Sequence, residues 1–431
     1  MAKKIILITL AVLIVFFVAS IIYFEIDPVN TNINYNPADS QKETDKTIRF
    51  NSDGKLKILH IADTHLNYDK HFDSSIWVIA NACDIEKPDL VVLTGDNTHP
   101  NEVPEKTKEL INALMNIFDS RNIPVAVTFG NHDVETGPMT REDIMNYYNT
   151  FSCVISTDNS ENFHNCATLN VPVLASDSDK VKFNLWVFDS GDNDEDDPRH
   201  YDRVRTEQIE WYKETSAKLK EANGGETVNS VVFQHIIVPE IYDVLKKVDS
   251  KQLYSVEHIY NEGEYYTFDP EEVNYGMLNE KPCPGYYNDG QFDALVETGD
   301  VLAMFTGHDH TNAFGVRNQN IDIYTSPMTR YKGLAYTTQY GYRVVEIDEN
   351  DTSTYETRVE RLYDVFNFDY IKTAKDNGDK YSKRIAFELA VKGGAQEKFM
   401  KICQSVVELF TGIQVAYPDY CKISKLTNCI K

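Results

Sequence analysis

Five short segments between residues 63 and 310 contain the side chains of this sequence that are best suited to binding metal ions. They are Asp63-Thr64-His65, Gly95-Asp96-Asn97, Gly130-Asn131-His132-Asp133, Gln234-His235 and Gly307-His308-Asp309-His310. Imidazole nitrogens combined with carboxylate and amide oxygens suit ions such as Fe, Zn or Mn, and none of the five segments offers a thiolate. Each segment is weak evidence alone, but the set of five predicts one shared metal site.

An apolar, strand-like run comes directly before each of these polar segments. The runs end as KILHIADTH, LVVLTGDN, VAVTFGNHD, VVFQH and LAMFTGHDH. In open α/β folds the carboxyl ends of parallel strands lie along one edge of the sheet, and binding sites form at that edge. The pattern therefore predicts that five strand ends bring these side chains together.

The periodicity of the remaining chain predicts alternating strands and helices at first and mostly strands later. Strands are predicted over residues 57–62, 89–94 and 125–129, with helices over 73–85 and 105–120 between them. This alternation is typical of parallel strands joined by right-handed crossovers. Further strands are predicted at 183–189, 228–235, 301–306, 321–325, 342–347 and 355–362, with an amphipathic helix at 203–222.

The order DxH, GDN, GNHD, single His and GHDH resembles the calcineurin-like metallophosphoesterase superfamily. The similarity continues in NLWVFDSG, in DGQFDALVETGDVLAMFTGHDHTNAF and in the late GYRVV, and it covers residues 55–361. Together these segments resemble the branch related to the purple acid phosphatases. Purple enzymes have a tyrosine three residues after the GD aspartate, where this chain has His99. A tyrosinate-to-iron absorption band is therefore not expected.

The resemblance implies an α/β fold in which two mixed β-sheets pack face to face between flanking helices. It also implies two groups of metal ligands that share one bridging residue. Asp63, His65 and His310 would bind one ion, Asn131, His235 and His308 would bind the other, and Asp96 would bridge both. The expected cofactors are two divalent or trivalent metal ions, with Fe, Zn and Mn all open.

The same resemblance implies a metal-dependent phosphoric ester hydrolase whose nucleophile is a hydroxide bridging the metals. His132 would donate a proton to the leaving oxygen, a role suited to an imidazole whose pKa lies near neutrality. Asp133 would orient His132. Phosphomonoesterase activity is favoured. A phosphodiesterase acting on nucleotides or lipid head groups would share every ligand, and a non-catalytic surface protein on the same scaffold is the alternative from another class.

Charge and composition narrow the expected partners. The 431 residues carry a formal net charge of -25, whereas a general nucleic-acid binder needs a basic surface to contact phosphates. The expected partner is a phosphate ester, either a small molecule or a phosphoprotein, and no nucleic acid. The 42% of hydrophobic residues is enough for a substantial core.

The two ends of the chain lie outside the resemblance. Lys3 and Lys4 precede an apolar run over residues 5–24, which is long enough to span a bilayer and predicts a signal-anchor or signal peptide over residues 1–25. The expected location is the secretory pathway. The protein would be a single-pass membrane protein with its catalytic domain outside the cytosol, or a secreted protein if the span is cleaved. Residues 26–54 are predicted as a stalk, 55–365 as the catalytic domain with an insertion at 245–284, and 366–431 as a helical extension.

Seven cysteines occur, and none forms the CxxC spacing of a structural zinc site. In an oxidising compartment, Cys153 with Cys166 and Cys421 with Cys429 are candidate local disulfides. The odd count leaves one thiol free, and Cys83, within a predicted helix, is the candidate. A glycosylation sequon begins at Asn350 in a predicted turn.

Overall fold

The structure is a computed structural model of the chain. It describes residues 46–69, 71–135, 137–155, 163–252, 255–268, 273–331 and 339–366, with residues 385, 389–391 and the backbone of 424–425. The apolar run at 5–24, most of the predicted stalk and helical extension, Cys421 and Cys429 lie outside the described residues. Within the described ranges, no helix combines the length and the apolar character needed to cross a membrane.

The first large sheet has six strands and contains the first half of the predicted alternation. In order across the sheet these are β16 (Ser424–Lys425), β15 (Asp351–Arg361), β14 (Gly341–Asp348), β1 (Lys55–Ile61), β2 (Leu90–Thr94) and β3 (Val125–Thr128). β1, β2 and β3 are parallel, and their crossovers are α1 (Phe72–Glu86) and α2 (Pro104–Asp119). The predicted bounds of β1, β2, β3, β14 and the two helices differ from these by one or two residues, whereas β15 begins four residues before its predicted start at residue 355.

The second large sheet has seven strands and contains the later part of the chain. Its order is β10 (Val273–Met277), β12 (Ala313–Asn318), β13 (Ile321–Thr325), β11 (Val301–Thr306), β6 (Ser230–Gln234), β5 (Val181–Phe188) and β4 (Leu169–Leu174). The four central strands β13, β11, β6 and β5 are parallel, and the strands at both edges are antiparallel. The sheet is therefore mixed, as expected.

The two sheets pack face to face through an apolar core. Leu56 and Val92 from the first sheet share this core with Phe183, Phe233 and Phe305 from the second, and all five are completely buried. Burial of one such side chain contributes roughly 1.5–3 kcal/mol. Separate apolar clusters cover the outer face of each sheet. The predicted fold of two mixed sheets between helices is therefore confirmed.

Four further helices complete the described part of the domain. They are α3 (Arg141–Tyr148), α4 (Thr206–Ala222), α5 (Gln291–Thr298) and α6 (Leu362–Val365). α4 packs Ile209 and Tyr212 into the outer cluster of the second sheet, as its periodicity predicts. α3, α5 and strands β4 and β12 were not predicted. α3 has only eight residues, and its start is fixed by a reciprocal capping pair between Thr140 and Asp143.

The predicted insertion at 245–284 forms its own small sheet. Its strands are β7 (Lys246–Val248), β9 (Tyr265–Thr267) and β8 (Val256–Glu257), and a short 3₁₀ helix, Pro239–Asp243, precedes it. The end of the insertion returns to the second large sheet as edge strand β10. The Tyr-rich segment is therefore folded structure beside the sheets.

Two sequence expectations need correction. Ile48 and Phe50 are buried in the core between the sheets, so the packed domain begins before the boundary drawn at residue 55. Cys153 and Cys166 are both buried free thiols, so the disulfide considered between them is absent from this structure. Cys83 is also a free, buried thiol, as expected.

Candidate metal centre

The predicted ligands meet at the edge where five parallel strands end. Asp63 and His65 follow β1, Asp96 follows β2, and Asn131 follows β3, all in the first sheet. His235 follows β6, and His308 and His310 follow β11, both in the second sheet. Because the two sheets pack face to face, their strand ends lie side by side, and the seven side chains form one centre between the sheets.

The first group of ligands consists of Asp63, His65, Asp96 and His310. Each offers one ligand atom, and these atoms all lie within 4.8 Å of one another. The Nε2 atoms of His65 and His310 are 2.8 Å apart, and His65 Nε2 lies 3.4 Å from Asp96 Oδ2. A single ion placed among these atoms could contact all four side chains.

The second group consists of Asp96, His235 and His308, which also place ligand atoms within 4.8 Å of one another. His235 Nε2 lies 3.3 Å from Asp96 Oδ2 and 3.2 Å from the side-chain oxygen of Asn131. Asn131 is thus within reach of the same ion. Asp96 belongs to both groups, which is the position needed to bridge two metals.

The residues present fit metal ions. Asp96 Oδ2 and His308 Nε2 are buried, and neither has a hydrogen-bond partner in the described part of the chain. Buried polar atoms usually have partners, and a cation would supply one here. Burial holds the pKa of His65 and His308 well below the usual value and lowers the pKa of His310 to about 4. The three imidazoles are therefore neutral at physiological pH, the form that binds metals.

The pKa values of Asp63, Asp96 and His235 also indicate a site that favours positive charge. Burial raises the pKa of Asp63 to about 7, with the charge of Asp96 acting in the same direction and that of His235 acting against it. Burial lowers the pKa of His235, but the Asp96 carboxylate more than offsets this and raises it to about 9. Asp96 itself keeps a pKa well below its usual value despite burial, because His235 lies beside it. The centre therefore concentrates negative charge that a cation would stabilise.

Backbone strain is concentrated at the ligands. Asp63, His65, Asp96 and His308 have positive φ angles of 55°, 42°, 49° and 72°. Only three other non-glycine residues in the described chain have positive φ. A residue held in this region costs of order 1–3 kcal/mol and persists only where the surroundings fix it. Strain at four of the seven candidate ligands is typical of a functional site.

A glycine before Asn131 lets the loops approach each other closely. A Cβ atom at Gly130 would lie 2.2 Å from Asp96 Oδ1 and 2.7 Å from His235 Nε2. Neither distance is possible for a real side chain. Glycine is therefore required at this position if both groups of ligands are to form.

Asp133 has a different role from the one expected. Its carboxylate accepts hydrogen bonds from the backbone N–H groups of Asn97 at 2.9 Å, Thr98 at 3.0 Å and Gly130 at 2.9 Å. The side chain is buried, and it joins the loop after β2 to the loop after β3. The expectation that Asp133 orients His132 is corrected, because these three donors occupy the carboxylate.

The imidazole of His132 is instead hydrogen-bonded through Nδ1 to the carboxylate of Glu135. The His132 side chain is 30% exposed, so it faces the open side of the centre. Its backbone N–H donates to Asp96 Oδ1 at 2.8 Å, which fixes the loop against the bridging residue. Glu135 was missed in the sequence, although its place three residues after His132 in the same loop was a usable signal.

Three other side chains complete the surroundings. His99, at the position of the purple tyrosine, places Nε2 2.9 Å from His65 Nδ1. Arg330 donates to the backbone carbonyl of His65, and Tyr201 packs its ring edge-on against His308 at 4.4 Å. Asp309 accepts hydrogen bonds from the backbone N–H of Cys283 at 3.2 Å and from the side-chain amide of Asn312 at 3.3 Å. Arg330 and Tyr201 carried no sequence signal, because only folding brings them to the centre.

Comparison with known proteins gives one family. The model described as calcineurin-like phosphoesterase matches residues 56–312. The chain is 27% identical over 309 residues to "Probable inactive purple acid phosphatase 29" of Arabidopsis thaliana, covering 64% of this chain and 72% of that protein. It is 28% identical over 338 residues to "Probable inactive purple acid phosphatase 14" of the same plant, covering 70% and 77%. It is also 25% identical over 294 residues to "Phosphatase DCR2" of Saccharomyces cerevisiae, covering 62% and 46%.

Proposed function

This chain belongs to the calcineurin-like phosphoesterase family, and we propose that it is an active, dinuclear-metal phosphomonoesterase. The observation that carries the proposal is the pair of ligand groups that share Asp96 beside the partly exposed His132. The names of the three relatives all contain the word phosphatase, which favours monoesters over diesters.

The ligand side chains would hold two ions at neighbouring positions. Asp63, His65 and His310 would hold one, Asn131, His235 and His308 would hold the other, and Asp96 would contact both. When bound, such a pair of ions activates water at neutral pH and neutralises charge on the phosphate oxygens. The neutral imidazoles of His65, His308 and His310 and the strained loops prepare the ligand set before substrate arrives.

His132 is the proposed proton donor to the leaving oxygen. Its Nδ1 is engaged by Glu135, which fixes the ring and leaves Nε2 for the substrate. Because His132 lies on the exposed side of the centre, a substrate can reach it without movement of the buried ligands.

Two of the relatives are called inactive, whereas the seven candidate ligands of this chain all converge on the centre. The test is hydrolysis of an aryl phosphomonoester and the matching diester by the full chain, loaded in turn with Mn, Zn and Fe. Asp96→Asn removes the shared carboxylate and should abolish turnover. Asp179→Asn, at a side chain 91% exposed and paired with Arg49, is the matched control and should keep it.

Each outcome of this test has a clear meaning. Monoester turnover that is lost in Asp96→Asn supports the proposal. Preference for the diester would replace it with a phosphodiesterase. No turnover of either ester, with two metals per chain measured by elemental analysis, would favour a non-catalytic binding protein.

The location remains a proposal from the sequence. We expect the domain to lie outside the cytosol, anchored by residues 5–24 or secreted after cleavage. Asn350 lies exposed in the tight turn between β14 and β15. Its modification is therefore a direct readout of passage through the secretory pathway.

A further inference from the structure

We propose that a cleft beside His308 binds the leaving group of the substrate, and that it selects a flat aromatic ring carrying a second negative charge. The inference rests on the proposed function and deepens it, since it names the class of phosphomonoester that the same centre would hydrolyse. It depends on residues that are not candidate metal ligands.

The cleft opens next to the second group of ligands. It has a volume of about 560 Å³, which is in the range of small-molecule sites. Tyr201 lines it and also packs its ring against His308 at 4.4 Å, so one side chain joins cleft and centre. Cys283, also in the lining, is tied by its backbone N–H to Asp309 of the GHDH segment. A phosphate ester bound at the centre would therefore have this cleft within reach of its ester group.

The wall of the cleft is aromatic and fixed in position. The ring of His200 stacks on Tyr286 at 3.9 Å with an interplanar angle of 7°. Tyr260 stands edge-on to both rings, at 5.2 Å from His200 and 5.0 Å from Tyr286. The hydroxyl of Tyr260 donates to the carbonyl of Pro284 at 2.8 Å and accepts from the backbone N–H of Tyr201 at 3.3 Å. Rings held in this way suit stacked or edge-on contact with another flat ring.

One cation in the lining is available to an anionic group. Arg199 is already bound to the carboxylate of Asp197 through two hydrogen bonds of 2.7 and 2.6 Å, so its charge is offset. Lys281 is exposed and forms no ion pair with any described carboxylate. In a chain of net charge -25, a lysine left unpaired in the cleft gives it a local attraction for anions.

The charge part of the proposal is tested with two aryl phosphates that differ only in a remote group. These are 4-carboxyphenyl phosphate and its uncharged amide, 4-carbamoylphenyl phosphate, assayed with the metal-loaded full chain. The ratio of their kcat/KM values is compared between wild type and Lys281→Gln. Comparing ratios removes the intrinsic reactivity difference between the two esters. Lys218→Gln, on the exposed face of α4, makes the same charge change elsewhere as the control.

We expect Lys281→Gln to lower the preference for the carboxylate by about two- to fivefold, the range of one partly exposed ion pair. Lys218→Gln should leave the preference unchanged. An equal ratio in wild type and Lys281→Gln would overturn the assignment of Lys281. Lys281 is a surface side chain, so its replacement does not threaten folding.

The ring part is tested with phenyl phosphate and cyclohexyl phosphate, which have leaving groups of similar size but different shape. Tyr260→Leu should reduce the preference for phenyl phosphate, while Tyr260→Phe, which keeps the ring, should retain it. Equal preference in both variants and wild type would overturn the aromatic wall. If wild type hydrolyses none of the four esters, the proposed function itself fails. If wild type hydrolyses all four esters and the kcat/KM ratios of the variants equal those of wild type, only the cleft proposal fails.

Discussion

Replacing Asp133 by Asn tests whether this residue holds two ligand loops together or acts through His132. Its two carboxylate oxygens divide three backbone donors between them, with Oδ1 accepting from Asn97 and Thr98 and Oδ2 from Gly130. An amide can reproduce at most one of these oxygens. In the better orientation the new NH₂ group therefore faces the N–H of Gly130, donor against donor.

The expected cost follows from that geometry. One hydrogen bond to a charged acceptor is lost, which costs about 1.5–3 kcal/mol, and a buried N–H is left without a partner. The Asn substitution also removes a buried charge, whose burial raises the pKa of Asp133, and this offsets part of the cost, so we expect a net loss of about 1–2 kcal/mol in the free energy of unfolding. Gly130 and Asn97 flank the ligands Asn131 and Asp96, so metal affinity should also fall by about 10–100-fold.

The assay is urea unfolding of the full chain in EDTA, followed by metal titration, with Glu135→Gln measured beside it. The unfolding and the metal titration are both done at pH 8. This is above the value of about 7 to which burial raises the pKa of Asp133, so the carboxylate is ionised. Glu135→Gln should change the unfolding free energy by less than about 0.5 kcal/mol, because that side chain is 49% exposed. It should instead lower kcat by about 10–100-fold. If Asp133→Asn lowers kcat but leaves the free energy of unfolding and the metal affinity as in wild type, Asp133 acts through His132 and does not hold the two ligand loops together.

Three further predictions concern the same centre and the location of the domain. Gly130→Ala should abolish binding of two metals per chain, measured by elemental analysis, because its Cβ would overlap Asp96 and His235; retention of both metals would contradict the close approach. EDTA should lower the melting temperature of wild type in a calorimetric scan, and Mn should restore it. At a metal concentration 100-fold above Kd, binding should stabilise the folded state by about 2.7 kcal/mol. Asp96→Asn should show little response to either addition. In a eukaryotic secretory host, Asn350→Gln should remove a glycosidase-sensitive mass shift; its absence in wild type would count against the predicted location.

The strands and helices with a clear apolar periodicity could be predicted, because this periodicity is a property of the local sequence. Strands β1, β2 and β3 and helices α1 and α2 follow from apolar periodicity, and they appear within one or two residues of the predicted bounds. Elements with weaker local signals were missed, among them the eight-residue α3 and the edge strands β4 and β12. Short elements carry too few periods for a pattern to stand out, and packing on a neighbour stabilises them instead.

The sequence by itself determined which side chains could bind metal ions. The Asp, Asn and His residues at strand ends predict one shared metal site, because parallel strands end at a common edge, and the family resemblance adds the expectation of two ions. Only the tertiary structure decided how the centre is supported. The carboxylate of Asp133 bonds to backbone 36 residues earlier, and Arg330 reaches a carbonyl 265 residues away. Partners at such distances along the chain depend on how the two sheets and the insertion pack, and the same packing forms the cleft beside His308.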